Sequence, residues 1–307
     1  ECNGSEAEQL LKRLQVDCRH FQNYGFRTAV AEFLVHSGTL EAVVARSYSI
    51  GEGNSLAEFS GRNGTLATTV CKSVHPGGVA CSGRHQPLFE IFEGTVLDAA
   101  VEARSGEAPR PPCNKVGVII GLHPPVAGRD QPGITSDEAE LLGRSTWAEA
   151  FFTTKDGQAT LAAVEVSKHC SDYVAAGSSD CLLADNVWLL REGQRDEDRG
   201  IAVPGAWRAE PLDIGAVMGF LPKPHPQLSG SMYSDKADRV RYKKQVDAVL
   251  QHCCLLDCDA LVLGCADGIA GSEISGHPLQ EIAEVWCQAI SALAGQFRHV
   301  AFALGVS

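Results

Sequence analysis

The run Asp259-Ala-Leu-Val-Leu-Gly264 leads into Cys-Ala-Asp-Gly268-Ile-Ala-Gly271-Ser-Glu-Ile-Ser-Gly276-His-Pro278, and the chain returns at His299-Val-Ala-Phe-Ala-Leu304. The two apolar runs, Ala260–Gly264 and His299–Leu304, are short and bounded by polar residues and Gly, the signature of strands buried on both faces. Between them, Pro278–Leu293 is expected to be helical. Leu279, Ile282, Ala283, Trp286, Ile290 and Leu293 fall on one stripe, with Pro278 in the first turn and Gly295 just past the end. Strand, glycine-containing loop, helix and strand in this order make an α/β unit.

Working outward, the pattern repeats. Phe89–Phe92, Val116–Leu122, Val187–Leu190 and Ile214–Leu221 are expected strands. Val96–Arg104, Asp137–Phe152 and Asp235–Cys254 are expected helices, the last with Tyr242, Val246, Val249, Leu250 and Cys253 on its core face. The alternation predicts a layered α/β fold with a mostly parallel or mixed sheet flanked by helices. Residues 1–88 read differently, as an N-terminal helical and irregular extension to a domain at 89–307. Leu10, Leu11 and Leu14 form one helical stripe, and Ala29, Val30, Phe33 and Leu34 another; from Gly51 to Gly83 the composition turns to Gly, Ser, Thr and Asn. A short echo links Gly38–Arg46 to Gly94–Arg104, but only the second is expected to lead into a strand, so no repeat is inferred.

Composition narrows the function. The 307 residues are 44% hydrophobic and 21% charged, within the globular range. Lys and Arg number 26 against 38 Asp and Glu, a net charge of −12, which opposes nonspecific binding to nucleic acid or anionic lipid. The longest uncharged apolar runs are less than half the ~20 residues of a spanning helix. Around Glu1 nothing reads as a signal or transit segment, which leaves a mature chain freed of a presequence as one expectation. The 12 Cys contain no C-x-x-C pair and are read as small buried apolar side chains. A reducing compartment is expected, whether cytosol, nucleus or organelle matrix.

Chemistry in an open α/β sheet gathers in loops leaving the carboxyl ends of strands, where helix N-termini present free amides. Two loops qualify: His123–Glu140, containing Gly128 and Gly133, and Gly264–Pro278, containing Gly268 and Gly271. Neither carries G-x-x-x-x-G-K-[ST] or G-x-G-x-x-G, which disfavours a P-loop nucleotidase and a Rossmann dehydrogenase. In His252-Cys253-Cys254-x-x-x-Cys258, adjacent cysteines on one helix cannot both reach a tetrahedral ion easily, so no metal is expected. The mixed charges of Arg191–Arg199 read as a solvated loop, and Trp147, Trp188, Trp207 and Trp286 as packing residues rather than stacking platforms for bases.

From 89 to 304 the chain resembles the microbial-type poly(ADP-ribose) glycohydrolase proteins, a branch of the macrodomain fold. Ile91-Phe-Glu-Gly-Thr-Val-Leu-Asp-Ala-Ala100 is similar to the family's Asn-Gly-Asp-Thr-Leu-Glu-Ala-Ala. Val116–Leu122 followed by Asp137-Glu-Ala-Glu-Leu-Leu-Gly-Arg-Ser-Thr146 resembles its strand, triple-glycine loop and Gln-Glu-Glu helix. Asp185–Arg191, Ile214–Pro224 and the closing stretch follow in the family order. The resemblance implies a macrodomain-like domain and a ligand site at Thr95, Gly128, Gly133, Asp137, Gly264, Gly268 and Gly271.

The same resemblance implies that the site is degenerate. Aligned through Leu141 and Arg144-Ser-Thr, the hydrolytic Glu falls on Ala139, Gln on Asp137 and the first Glu on Glu138. The triple glycine falls on Ala127-Gly128-Arg129, the adenine-end acid on Thr95, and the longer Gly264 loop brings Asp267 and Glu273 toward the phosphates. Glu138 and Glu140 are the fallback catalytic candidates. They lie about 200° apart around a helix, so only one can face a ligand, and Thr135-x-x-Glu138 also reads as a capping box. The expectation is a non-catalytic accessory or structural module with protein partners in a larger assembly and no cofactor. An ADP-ribose-binding reader and an active ADP-ribosyl glycohydrolase are the alternatives.

Overall fold

The computed structural model describes residues 16–17, 38–51, 55–59, 68–71, 86–106, 112–121, 136–147, 153–154, 181–196, 201–220, 226–264, 277–293 and 295–305. The stripes at 10–14 and 29–34 lie outside the described residues. Before the helical layers come β1 (Val16–Asp17), α1 (Thr39–Ala45), β2 (Ser47–Ile50), β3 (Ser55–Glu58) and β4 (Thr68–Cys71). Then follow β5 (Leu88–Phe92), α2 (Val96–Ser105), β6 (Val116–Gly121), α3 (Ser136–Arg144), β7 (Thr153–Thr154), β8 (Cys181–Asp196) and β9 (Ile201–Phe220). The chain closes with β10 (Leu228–Ser229), β11 (Met232–Tyr233), α4 (Lys236–Leu255), β12 (Ala260–Gly264), α5 (Leu279–Ala292) and β13 (His299–Ala303).

Seven strands form the main sheet in the order β4-β8-β9-β6-β12-β13-β5. From β9 to β5 the pairs are parallel, and β8 and β4 join antiparallel, so the sheet is mixed as expected. The central strands have side chains buried on both faces, and each face has its own core. Val116, Val118 and Ile120 of β6 pack with Val96, Leu97 and Ala100 of α2 and Leu141 and Leu142 of α3. Ile119 points the other way, with Leu261 and Leu263 of β12, toward Val246, Val249 and Leu250 of α4 and Val285, Trp286 and Ile290 of α5. The result is three layers, helix on sheet on helix.

Several boundaries differ from the sequence expectation. α3 stops at Arg144 instead of continuing to 152, because the Ser145 hydroxyl turns back to Leu141 O at 2.6 Å and accepts the Trp147 amide at 3.1 Å. The buried stripe of α5 is Ile282, Val285, Trp286, Ala289 and Ile290, whereas Leu279 is 62% exposed and Ala283 also faces solvent. α1 leads directly into β2, so the first copy of the echo does precede a strand.

The largest difference is the charge run. Arg191–Asp196 is strand, paired as far as Asp196 with Ile201, and 201–210 belongs to β9. Alternating charges suit a two-stranded ribbon with a wet face as well as they suit a loop. Arg191 is partly buried there, its guanidinium 4.6 Å from the Trp207 ring centre and its Nε donating to Gly205 O at 2.9 Å. On this ribbon rests a small core of Ala42, Val43, Tyr48, Ala57 and Phe59 with Leu190, and Tyr48 stacks on Trp207 at 4.6 Å. Residues before 88 therefore contribute β4 to the sheet and a hairpin to the ribbon's flank.

One glycine is imposed by the sheet. Gly215, at φ +96°, begins the pairing of β9 with β6, and a Cβ there would strike the Val116 backbone.

Candidate functional site

Among the parallel strands, the carboxyl ends of β6 and β12 and the N-termini of α2 and α3 meet at one place. Gly264 ends β12, Val96 opens α2, and Asp137 is the second residue of α3. A Cβ on Gly264 would run into the Asp137 carboxylate and lie 3.0 Å from Val96 Cγ1, so glycine is required for these elements to approach. Of the residues expected from the sequence, Asp137 and Gly264 are thus in direct apposition. Gly128, Gly133, Gly268 and Gly271 lie outside the described residues, as does the side chain of Ala139.

Thr95 caps α2: its Oγ1 accepts the Asp98 amide at 3.2 Å. The same oxygen is 3.4 Å from Arg144 Nη1, which also bonds Glu140 Oε1. Arg144 Nη2 donates to Asp98 Oδ1 at 2.8 Å, and Nε donates to Arg191 O at 3.2 Å. A single guanidinium therefore ties α2, α3 and β8 together. It is 1% exposed, and Gly193 of β8 lies so close that a Cβ would stand 2.9 Å from Nη1.

Asp137, Glu138 and Glu140 are all buried, at 4%, 2% and 3% exposure. Burial pushes the Glu140 carboxyl up to about 8, against the opposing pull of Arg144 and the hydrogen bond to Thr95. Glu140 is directed toward Arg144 and Thr95. Glu138 is enclosed as well, and its expected capping partner Thr135 lies outside the described residues.

Sequence reasoning passed over Arg144 as a site residue. Its spacing of four from Glu140 was a legible ion-pair signal, but Asp98 and Arg191 reach it only through the tertiary fold. The cysteines with described surroundings carry free thiols: Cys113, Cys253, Cys254 and Cys258 are buried and Cys287 is exposed. Cys253 packs in the α4–α5 core with its Sγ 3.5 Å from Met218 Sδ, and burial raises the Cys113 thiol to about 11. No helix among the described residues is long and apolar enough to cross a membrane.

This sheet order, with paired helices on either face and acidic residues where α3 meets the end of β12, defines a macrodomain-type α/β fold. The particular likeness is to the glycohydrolase branch of that fold. The poly(ADP-ribose) glycohydrolase from Thermomonospora curvata superposes with a TM-score of 0.61 at 18% identity, over 89% of this chain and 93% of that one. The same enzyme bound to the inhibitor ADP-HPD gives 0.59 at 18% identity, over the same shares of the two chains. No family model and no curated protein matches the chain. At this identity the likeness is one of fold, and function rests on the site.

Proposed function

We propose that this chain is a macrodomain-type scaffold with a silent hydrolase centre, acting as a non-catalytic accessory module within a larger assembly. The observation that carries the reading is the Asp137 carboxylate lying against Gly264, at the junction where helix amides would receive a diphosphate. Two unit charges of one sign at 4 Å repel by about 4 kcal/mol at an effective dielectric of 20, enough to weaken a micromolar affinity about a thousandfold, to the millimolar range. The alignment that places Ala139 at the hydrolytic position supports the same conclusion. Calorimetry with ADP-ribose, run beside an assay for its release from a modified substrate, tests it. No heat up to millimolar ligand is expected, and Asp137→Asn should bring binding into range. Binding by the unaltered chain without turnover would make it a reader and overturn the proposal.

One observation favours the active-enzyme reading. Burial pushes the Glu140 carboxyl upward, toward the protonated form that a general acid needs, against the pull of Arg144. On that reading the chain releases ADP-ribose, and Glu140→Gln abolishes turnover while ligand binding survives. Absence of turnover in the unaltered chain removes it.

A further inference from the structure

β5 is the outermost strand of the main sheet on its side, among the described residues. Leu88 N donates to Arg298 O at 2.8 Å and Phe92 O accepts Leu304 N at 3.0 Å, so these residues turn their main-chain groups inward to β13. Along a parallel strand the direction alternates residue by residue. Phe89 and Ile91 therefore direct two N–H and two C=O groups outward.

Their side chains are uncovered as well. Phe89 is 54% and Ile91 71% exposed, and their register partners Val300 and Phe302 put both on the face that α4 and α5 cover farther in. Leu304, 51% exposed, falls on the same face by alternation. The strand Leu88-Phe-Glu-Ile-Phe92 contains no Lys or Pro, the residues that guard edge strands against pairing.

We propose that the β5 edge is a docking site at which an extended segment of a partner protein adds as a further strand, alternating aliphatic with basic side chains. The outward main-chain groups of Phe89 and Ile91 supply the pairing, and their side chains call for aliphatic residues at every second partner position. Charge decides the rest. Between 86 and 95 the only charged residues are Glu93 and Glu90, the latter bonded as well to His299 of β13, and the whole chain carries −12, so a cationic strand is attracted. A second copy is opposed, because antiparallel pairing about Glu90 would set two such carboxylates face to face. The proposal does not depend on whether the hydrolase centre is silent.

The test uses the full chain and the blocked peptide acetyl-Lys-Val-Lys-Val-Thr-Val-Lys-amide. Saturating peptide should slow amide hydrogen exchange at Phe89 and Ile91 by about tenfold or more, and replacing its lysines by glutamate should weaken binding about tenfold. A copy N-methylated at the valines should give no protection. Ile91→Pro removes an outward N–H and an exposed side chain but no bond to β13, so it should abolish docking with an unchanged melting temperature. Ile91→Lys, which keeps the N–H, should weaken docking too. Three results would overturn the proposal: no protection at millimolar peptide, amides already protected in the free monomer, or a dimer in sedimentation that Ile91→Pro dissociates.

Discussion

Asp259 holds the N-terminal ends of the parallel strands: its oxygens accept the backbone amides of Asn114 and Lys115 at 3.0 Å each, with Arg298 3.9 Å away. At the carboxyl ends, Glu140 and Asp98 instead face one guanidinium, Arg144. Asp259 is 15% exposed and serves neutral donors, so water can soften the loss of a partner. Glu140 and Arg144 are sealed at 3% and 1%, and removing Arg144 leaves the Glu140 carboxyl buried without its donor, whereas Arg144 without Glu140 still reaches Asp98. The same chemical group fastens one end of the sheet by hydrogen bonds to backbone and the other by bonds to one buried guanidinium, and the second fastening is the more brittle.

The sharpest break in that comparison is Arg144→Met, which should cost about 3–5 kcal/mol in denaturant unfolding. Adding Glu140→Leu should recover most of it, since an apolar pair needs no counterion. A loss below about 1 kcal/mol for the single variant would put the Arg144 cluster on a level with a surface pair. Next, Gly264→Ala should destabilise by about 1–3 kcal/mol through its collision with Asp137. Asp137→Gly in the same chain should relieve that loss, giving a coupling that a double-mutant cycle would read. At the opposite end, Asp259→Ala should cost about 1–2 kcal/mol, less than Arg144→Met because the freed amides can reach water.

A pH dependence accompanies these losses. With its carboxyl raised to about 8, Glu140 keeps in the folded state a proton that the unfolded chain gives up above its ordinary value near 4.5. Unfolding therefore releases a proton between these values, and this group's contribution, full below the lower one, is lost as pH rises through 8. Stability of Glu140→Gln, followed by chemical denaturation from pH 5 to 9, should fall less steeply than that of the parent. Parallel slopes would show that Glu140 is ionised throughout and that Arg144 outweighs its burial.

The parallel strands were legible because residues buried on both faces make short unbroken apolar runs; Ala260–Gly264 has the same bounds in sequence and structure. The ribbon of β8 and β9 was not, since its outer half is wet and mixed in charge, and the stacking of Arg191 on Trp207 depends on a partner 16 residues away. β4 was hidden in a Ser- and Thr-rich stretch for a related reason: an edge strand needs apolar residues on only part of its surface. At the site, Asp137, Glu138 and Glu140 could be named from the helix start and Gly264 from the strand end. Their apposition could not, because it depends on how closely α3 approaches β12. Arg144 looked like an ordinary cation in the last turn of a helix, and its second carboxylate lies 46 residues upstream.

β5 and β13 are neighbours in space, yet Glu90 and His299, which bond across them at 3.0 Å, are 209 residues apart in the chain. During synthesis at 5–20 residues per second, β5 waits roughly 10–40 s for the strand that covers its inner edge. Throughout that interval Leu88-Phe-Glu-Ile-Phe92 is open on both sides, a short aromatic-aliphatic segment guarded only by Glu90 within it and by Pro87 and Glu93 at its ends. Of the strands in this sheet, β13 is thus the one that emerges late to shelter the first strand of the parallel array, and until it does the newborn chain carries that segment uncovered.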